Sequence, residues 1–165
     1  PRSCNLELST SNGQIEVREI AGTVQMRTSN GRITAEGIGG NVAAETSNGA
    51  VRLERVSGSA TALTSNGKVT IRDAGGDIHS HMSNGSVLLH NVVASAEAVT
   101  SNGSITCVLP DNASATVSGR TTNGKIKSEF PLVIERKRVS GKIGEGRFWI
   151  ELRTTNGSIC VRRMK

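Results

Sequence analysis

Apolar and polar residues alternate along the chain in short runs that recur with a fixed period. In the run R-I-T-A-E, Ile33 and Ala35 are apolar and their neighbours are polar. Because successive side chains of a strand point to opposite faces, this alternation predicts a short β-strand with one buried face. A second alternating segment follows a Gly-containing turn, with Val42 and Ala44 as its inward residues. Each unit is therefore predicted to hold two short strands and two turns.

The units are marked by the dipeptide Asn-Gly. It begins at Asn12, Asn30, Asn48, Asn66, Asn84, Asn102, Asn123 and Asn156, so the spacing is 18 five times, then 21 and then 33. A β-branched residue always stands two positions after the Gly. A fixed period of this kind is typical of solenoid architectures, in which each unit forms one coil.

Two folds fit this pattern. Asn-Gly between alternating strands is typical of tight hairpins, which would give an antiparallel meander. In a solenoid, equivalent Asn residues would instead stack directly, and each amide could bond to the next, as in cross-β ladders. We favour the solenoid because it explains why Asn recurs, and we expect a positive φ at the Gly that follows. The predicted fold is a single-domain, all-β, parallel and right-handed β-solenoid with about 18 residues per coil.

Composition and spacing define the expected domain. The 165 residues are 35% hydrophobic but only 2% aromatic, so the core must be thin and aliphatic. We expect one domain over residues 1–165, with regular coils over 1–121 and an irregular C-terminal coil and cap over 122–165. The interruption between the last two Asn-Gly pairs holds nearly all the large side chains, including Phe130, Phe148 and Trp149. Because the chain starts at Pro1 without an initiator Met or an apolar leader, we expect either a processed protein or a piece of a longer one.

The segments TSNGRITAEGIGGNVAAETSNGAV and GKIGEGRFWIELRTTNGSICV carry a resemblance to a known family. They resemble the bacterial "putative adhesin" family of unknown function, whose members repeat TSNG-I/V units and end in a Gly-rich segment before one last unit. The resemblance covers essentially the whole chain. It implies a β-solenoid and a cell-envelope or extracellular location behind a membrane anchor. It implies no catalytic residues.

Positive charge is concentrated at the C-terminal end. Residues 120–165 carry 12 Lys/Arg against 4 Asp/Glu, whereas residues 1–119 carry 8 against 10. Such a basic region could bind an anionic polymer or a membrane surface, or it could protect a sheet edge by charge. The candidate anion-binding residues are Arg136, Lys137, Arg138, Lys142 and Arg147. With so few aromatic residues to stack on bases, specific nucleic-acid recognition is not expected.

Other chemistry finds less support in the sequence. His79 and His81 share one strand face and are the candidate metal ligands, with Glu97 one coil further as a third; two exposed polar residues are the alternative interpretation. No cofactor is predicted. Glu36 and Glu54 are expected to form a charge ladder with neighbouring arginines rather than an active site. Thr34, Thr70 and Thr106 suggest an ice-binding array, but Arg52 and Leu88 interrupt it.

These observations lead to two main hypotheses. The first is a non-catalytic structural or adhesin-like scaffold of the bacterial cell envelope. The second is an electrostatic binding module whose basic C-terminal cap docks on an anionic polymer or membrane surface. A polysaccharide-acting enzyme is a lesser alternative, and self-association through the solenoid ends is a further expectation for partners.

Overall fold

The computed structural model describes residues 3–165, which contain sixteen β-strands and no helix. The strands are β1 (Leu6–Asn12), β2 (Ile15–Ile20), β3 (Val24–Asn30), β4 (Ile33–Ile38), β5 (Val42–Asn48), β6 (Val51–Val56), β7 (Ala60–Ala74), β8 (Ile78–His90), β9 (Ala96–Asn102), β10 (Ile105–Leu109), β11 (Ala115–Asn123), β12 (Ile126–Ser128), β13 (Val133–Glu135), β14 (Arg138–Ile143), β15 (Phe148–Asn156) and β16 (Ile159–Arg163).

Equivalent strands of successive coils pair in parallel, which confirms the solenoid and excludes the meander. Val24 of β3 pairs with Val42 of β5, and Ile15 of β2 pairs with Ile33 of β4, in each case with the equivalent residue of the next repeat. Two parallel ladders result, one built from the strand before each Asn-Gly and the other from the strand after it. In β7 and β8 the pairing continues through the Asn-Gly corner, so each of these coils holds one bent strand instead of two.

The two ladders enclose a thin aliphatic core. The inward positions of each coil are almost completely buried, as at Ile33 and Ala35 on one ladder and Val42 and Ala44 on the other. Thr residues of the TSN motif are also buried, and the hydroxyl of Thr46 donates to the carbonyl of Gly31 in the neighbouring coil at 3.3 Å. Aliphatic side chains therefore fill the core, and the largest fully buried ones are Ile, Leu and Met.

The Gly of seven of the eight Asn-Gly pairs is required by close approach between coils. The expected positive φ is found at five of them, Gly31, Gly49, Gly67, Gly85 and Gly103, with values of 138° to 159°. A Cβ on Gly49 would overlap the backbone carbonyl of Gly31 in the preceding coil. The same overlap recurs at every later glycine of the column, but Gly13 lies in the first coil and has no such neighbour among the described residues.

The last coil in the chain is not the last coil in the stack. Strand β15 pairs in parallel with β9 on one side and with β11 on the other. Likewise β16 lies between β10 and β12. Residues 148–163 therefore occupy the seventh of eight layers, and the chain reaches the eighth layer, residues 115–128, before it returns to fill the seventh.

The antiparallel hairpin β13–β14 covers the far end of the first ladder. Strand β14 pairs antiparallel with β11, and β13 pairs antiparallel with β14. The guanidinium carbon of Arg163 lies over the buried ring of Phe130, 4.9 Å from the ring centroid. This contact joins β16 to the segment before the hairpin. The opposite end of the stack is formed by β1 and β2, each paired on one side within the described chain.

Candidate binding surface

All eight Asn side chains of the Asn-Gly pairs form one continuous column. The Nδ2 of each Asn donates to the Oδ1 of the Asn in the layer before it, as from Asn48 to Asn30 at 2.9 Å. The remaining donations, at 2.7 to 2.9 Å, join Asn30 to Asn12, Asn66 to Asn48, Asn84 to Asn66, Asn102 to Asn84, Asn156 to Asn102 and Asn123 to Asn156. These residues bond to each other across layers, which gives them a structural part in the fold.

His79 and His81 both face Glu97 in the adjacent layer. The Nδ1 of His79 and the Nε2 of His81 each lie 3.5 Å from a carboxylate oxygen of Glu97. The carboxylate thus stands between two imidazoles that are about half exposed. Within residues 3–165, no group of three His, Cys, Asp or Glu side chains is arranged to hold a metal ion. The structure therefore brings the three side chains together within ion-pair distance.

Charged residues along the regular coils offset each other. Glu36 forms an ion pair with Arg55 at 2.7 Å, and Glu54 forms one with Arg52 at 2.6 Å. On the other ladder, Arg27 pairs with Glu45 at 2.8 Å. The two stacked glutamates are therefore part of a charge ladder on an exposed face. Arg52 also stands in register between Thr34 and Thr70 and interrupts the Thr column.

The cap separates the five candidate anion-binding residues into two groups. Arg136, Lys137 and Arg138 lie together at the turn of the β13–β14 hairpin and line a depression of about 770 Å³ with Arg120. The Nζ of Lys137 donates to the carbonyl of Gly124 at 2.7 Å and holds the turn against the eighth layer. Lys142 and Arg147 lie toward the other end of β14, where Arg147 pairs with Glu145 at 2.6 Å. The structure does not bring these two residues to the hairpin turn.

Three adjacent strands of the cap, β15, β11 and β14, present a flat outer face that we name the outer patch. The strand registers set nine residues in three rows of three, listed in strand order: Trp149, Thr116 and Lys142; Glu151, Ser118 and Ser140; Arg153, Arg120 and Arg138. The middle and last rows line a depression of about 410 Å³. Small hydroxyl side chains thus lie between an indole at one end of the patch and guanidinium groups at the other.

The arginine row of the outer patch places like charges directly opposite one another. Arg120 of β11 is in register with Arg153 of β15 and with Arg138 of β14. Arg153 forms an ion pair with Glu151. Among the described residues, neither Arg120 nor Arg138 forms an ion pair, in contrast to Arg27, Arg52 and Arg55 in the regular coils. Like charges opposed on neighbouring strands destabilise a sheet. On its other side, Arg138 is in register with Glu135 of β13, which also lines the depression.

Sequence reasoning missed Arg120 as a site residue. It lies far along the chain from both Arg136 and Arg153, so it belongs to no local cluster of charge. A signal was nevertheless present, because Arg120 and Arg153 both stand three positions before the Asn of an Asn-Gly pair. Alignment on that pair would have placed them in one column. The position of Arg138 could not be found in this way because β14 runs antiparallel.

The cysteines offer no reactive group in the core. Burial raises the pKa of the Cys107 thiol to about 12, so this side chain is a neutral part of the packing at physiological pH. Cys4 is exposed and Cys160 is half-buried, and all three thiols are free.

No helix in the described residues has the length and apolar character needed to cross a membrane.

The parallel registers, the Asn column and the aliphatic core define a β-solenoid repeat protein. The chain belongs to the Toastrack DUF4097 family, whose sequence model matches residues 2–162. Among solved structures, it is similar to a putative cell adhesion protein from Clostridium sporogenes, with 8% identity, a TM-score of 0.43, and coverage of 98% of this chain and 93% of that one. No curated protein sequence matches.

Proposed function

We propose that this solenoid is a non-catalytic, adhesin-like binding and scaffold module that docks an anionic polymer on its basic C-terminal end. The observation that carries the proposal is the register of Arg153, Arg120 and Arg138. Five of the six described arginines in the regular coils, Arg18, Arg27, Arg52, Arg55 and Arg72, form ion pairs with carboxylates, whereas two of these three do not. Uncompensated positive charge at one end of a rod attracts a polyanion and increases its association rate.

The regular coils supply the scaffold. Eight layers stacked about 4.8 Å apart give a rod on the order of 40 Å long, held by backbone ladders and by the Asn column. Because the repeated residues bond to each other, they have a structural reason to recur. The interruption of the repeat at the cap supports a binding site there, and the cell envelope is the location we propose for an adhesin-like module.

The test is a charge reversal at the cap. Replacing Arg136, Lys137 and Arg138 together by Glu should weaken binding to an anionic polymer at least tenfold and flatten its dependence on salt concentration. Arg162→Glu is the control, because Arg162 is also exposed but lies on the second ladder. Equal losses for the control and the triple variant would reject a localised site. Turnover of a polysaccharide by the purified protein would reject the non-catalytic part.

A further inference from the structure

The position of the only tryptophan gives the outer patch a more specific chemistry than positive charge. Trp149 is 68% exposed on a flat sheet face, in a chain whose two Phe residues are buried or packed against the core. Its neighbours in register and along the strand are polar: Thr116 on β11 and Glu151 on its own strand. An indole that is left exposed among polar groups gains nothing from the core and is available for stacking.

We propose that the outer patch binds a linear polysaccharide that carries carboxylate groups, with one sugar ring stacked on Trp149 and a carboxylate held by Arg120 and Arg138. This inference rests on the proposed function and names the class of polymer for the same end of the rod. The negative face of an indole attracts the polarised C–H groups of a sugar ring. A guanidinium binds a carboxylate through two parallel hydrogen bonds.

The dimensions of the patch suit a chain of several sugar units. Trp149 and Arg153 are four positions apart on β15, which is about 13 Å along the strand, and the three strands together are about 10 Å wide. Between the two ends, Ser118 and Ser140 line the depression of about 410 Å³ with Glu151. Hydroxyl groups donate and accept hydrogen bonds, and the carboxylate accepts them, so this middle row matches the hydroxyl groups of a sugar.

The same residues disfavour the other polyanions. A polyphosphate or nucleic acid that covered the arginine row and the indole would find no cation in the middle row, where Ser118, Ser140 and the ion-paired Glu151 lie. A membrane would have to accept Trp149 together with Glu151 and Thr116, and a carboxylate is costly to insert among lipid chains. A carboxylated sugar chain suits the middle row because each sugar also carries hydroxyl groups, to which Ser118, Ser140 and Glu151 can bond.

The experiment uses the single tryptophan as its own reporter. Oligogalacturonate is titrated into the protein, and the fluorescence of Trp149 is followed beside calorimetry, with neutral dextran, long-chain polyphosphate and phosphatidylglycerol vesicles as comparisons. We expect the indole emission to shift with oligogalacturonate and not with dextran or polyphosphate. Trp149→Ala, Arg120→Gln and Arg138→Gln should each weaken oligogalacturonate binding about tenfold, while Arg162→Gln leaves it within a factor of two.

The outcomes separate this inference from the proposed function. If the arginine variants lose binding and Trp149→Ala does not, the polymer is held by charge alone, so the sugar-stacking inference fails and the proposed function stands. Tighter binding of polyphosphate than of oligogalacturonate would likewise overturn the sugar-stacking inference and leave the proposed function standing. A shift in Trp149 emission with vesicles but not with oligogalacturonate identifies a membrane and overturns the inference. Absence of binding to every polyanion overturns both.

Discussion

Asn156 donates its amide to Asn102 at 2.7 Å, although the two side chains are 54 positions apart in the chain. Asn123 lies nearer to both in sequence, but it is one layer further along the stack and donates to Asn156 at 2.8 Å. The amide column therefore runs without interruption through a point where chain order and layer order differ. The column depends on geometry between layers, and its members are equivalent whichever part of the chain supplies them.

The glycine column predicts a sharp difference between two identical substitutions. Gly67→Ala should lower the free energy of unfolding by about 3 kcal/mol, because the new Cβ overlaps the carbonyl of Gly49 and the layers would have to separate. Gly13→Ala should change it by less than about 0.5 kcal/mol, because the nearest atom outside the turn is the Thr10 hydroxyl at 3.6 Å. Urea denaturation of both variants makes the comparison. Equal losses would contradict close approach between layers as the reason for glycine.

The direction of the amide column predicts a second contrast. In Asn66→Asp the side chain still accepts a hydrogen bond from Asn84. It can no longer donate to Asn48, so a carboxylate oxygen takes the place of the amide nitrogen, 2.9 Å from the Asn48 Oδ1. We expect a loss of about 1 kcal/mol in the free energy of unfolding.

Asn12→Asp is the matched control for that substitution. Within the described residues, Asn12 only accepts, from Asn30 at 2.8 Å, so an aspartate there keeps the bond and should leave stability nearly unchanged. Thermal or urea denaturation at pH 7 measures both variants. A larger loss at Asn12 than at Asn66 would contradict the direction of donation.

A buried hydroxyl identifies a stabilising substitution. Ser80 is fully buried in register between Ala62 and Ala98, and its Oγ has no hydrogen-bond partner in the described structure. Ser80→Ala should raise the free energy of unfolding by about 1 kcal/mol, because it removes an unsatisfied polar atom at little cost in packing. The reciprocal Ala98→Ser should lower it by a similar amount. A destabilised Ser80→Ala would mean that the hydroxyl has a partner.

The buried thiol predicts a dependence on alkaline pH. The pKa of Cys107 rises from 9.0 to about 12 on folding because burial disfavours the thiolate. The unfolded chain therefore loses this proton first, and the contribution of Cys107 to stability is complete below pH 9 and is lost as pH rises to about 12. The slope reaches about 1.4 kcal/mol per pH unit.

The comparison of two alanine variants isolates that contribution. As pH rises from 8 upward, the free energy of unfolding of the parent should fall relative to that of Cys107→Ala, because only the parent has a thiol to ionise at residue 107. The same difference for Cys4→Ala should stay level, because Cys4 is exposed. Parallel pH profiles for the two variants would refute a role for burial of the thiol.

The regular part of the fold could be predicted from the sequence because the information there is local and repeated. Apolar alternation around Ile33 and Ala35 gives the buried face, and the constant phase of Asn-Gly gives the stacking. The order of the last two layers could not be predicted in the same way. Asn102, Asn123 and Asn156 stand in nearly identical sequence contexts, so a repeat pattern cannot tell which of them are neighbours.

The candidate site was harder to predict because it depends on that order. Arg153 meets Arg120 only because β15 enters between β9 and β11, and Arg138 joins them only through an antiparallel hairpin. Local charge counting located the basic end of the chain and selected Arg136, Lys137 and Arg138, which the structure shows at the hairpin turn. It could not separate Lys142 and Arg147 from that turn, because their distance is set by the length and direction of β14.

The return of residues 148–163 into the seventh layer affects how the protein is made. On the ribosome, residues 148–163 emerge after the segments of the eighth layer and the hairpin, although they belong to the interior of the stack. Until β15 is made, the chain lacks the strand that pairs with both β9 and β11. Closure of the stack therefore has to wait for the synthesis of β15 and β16.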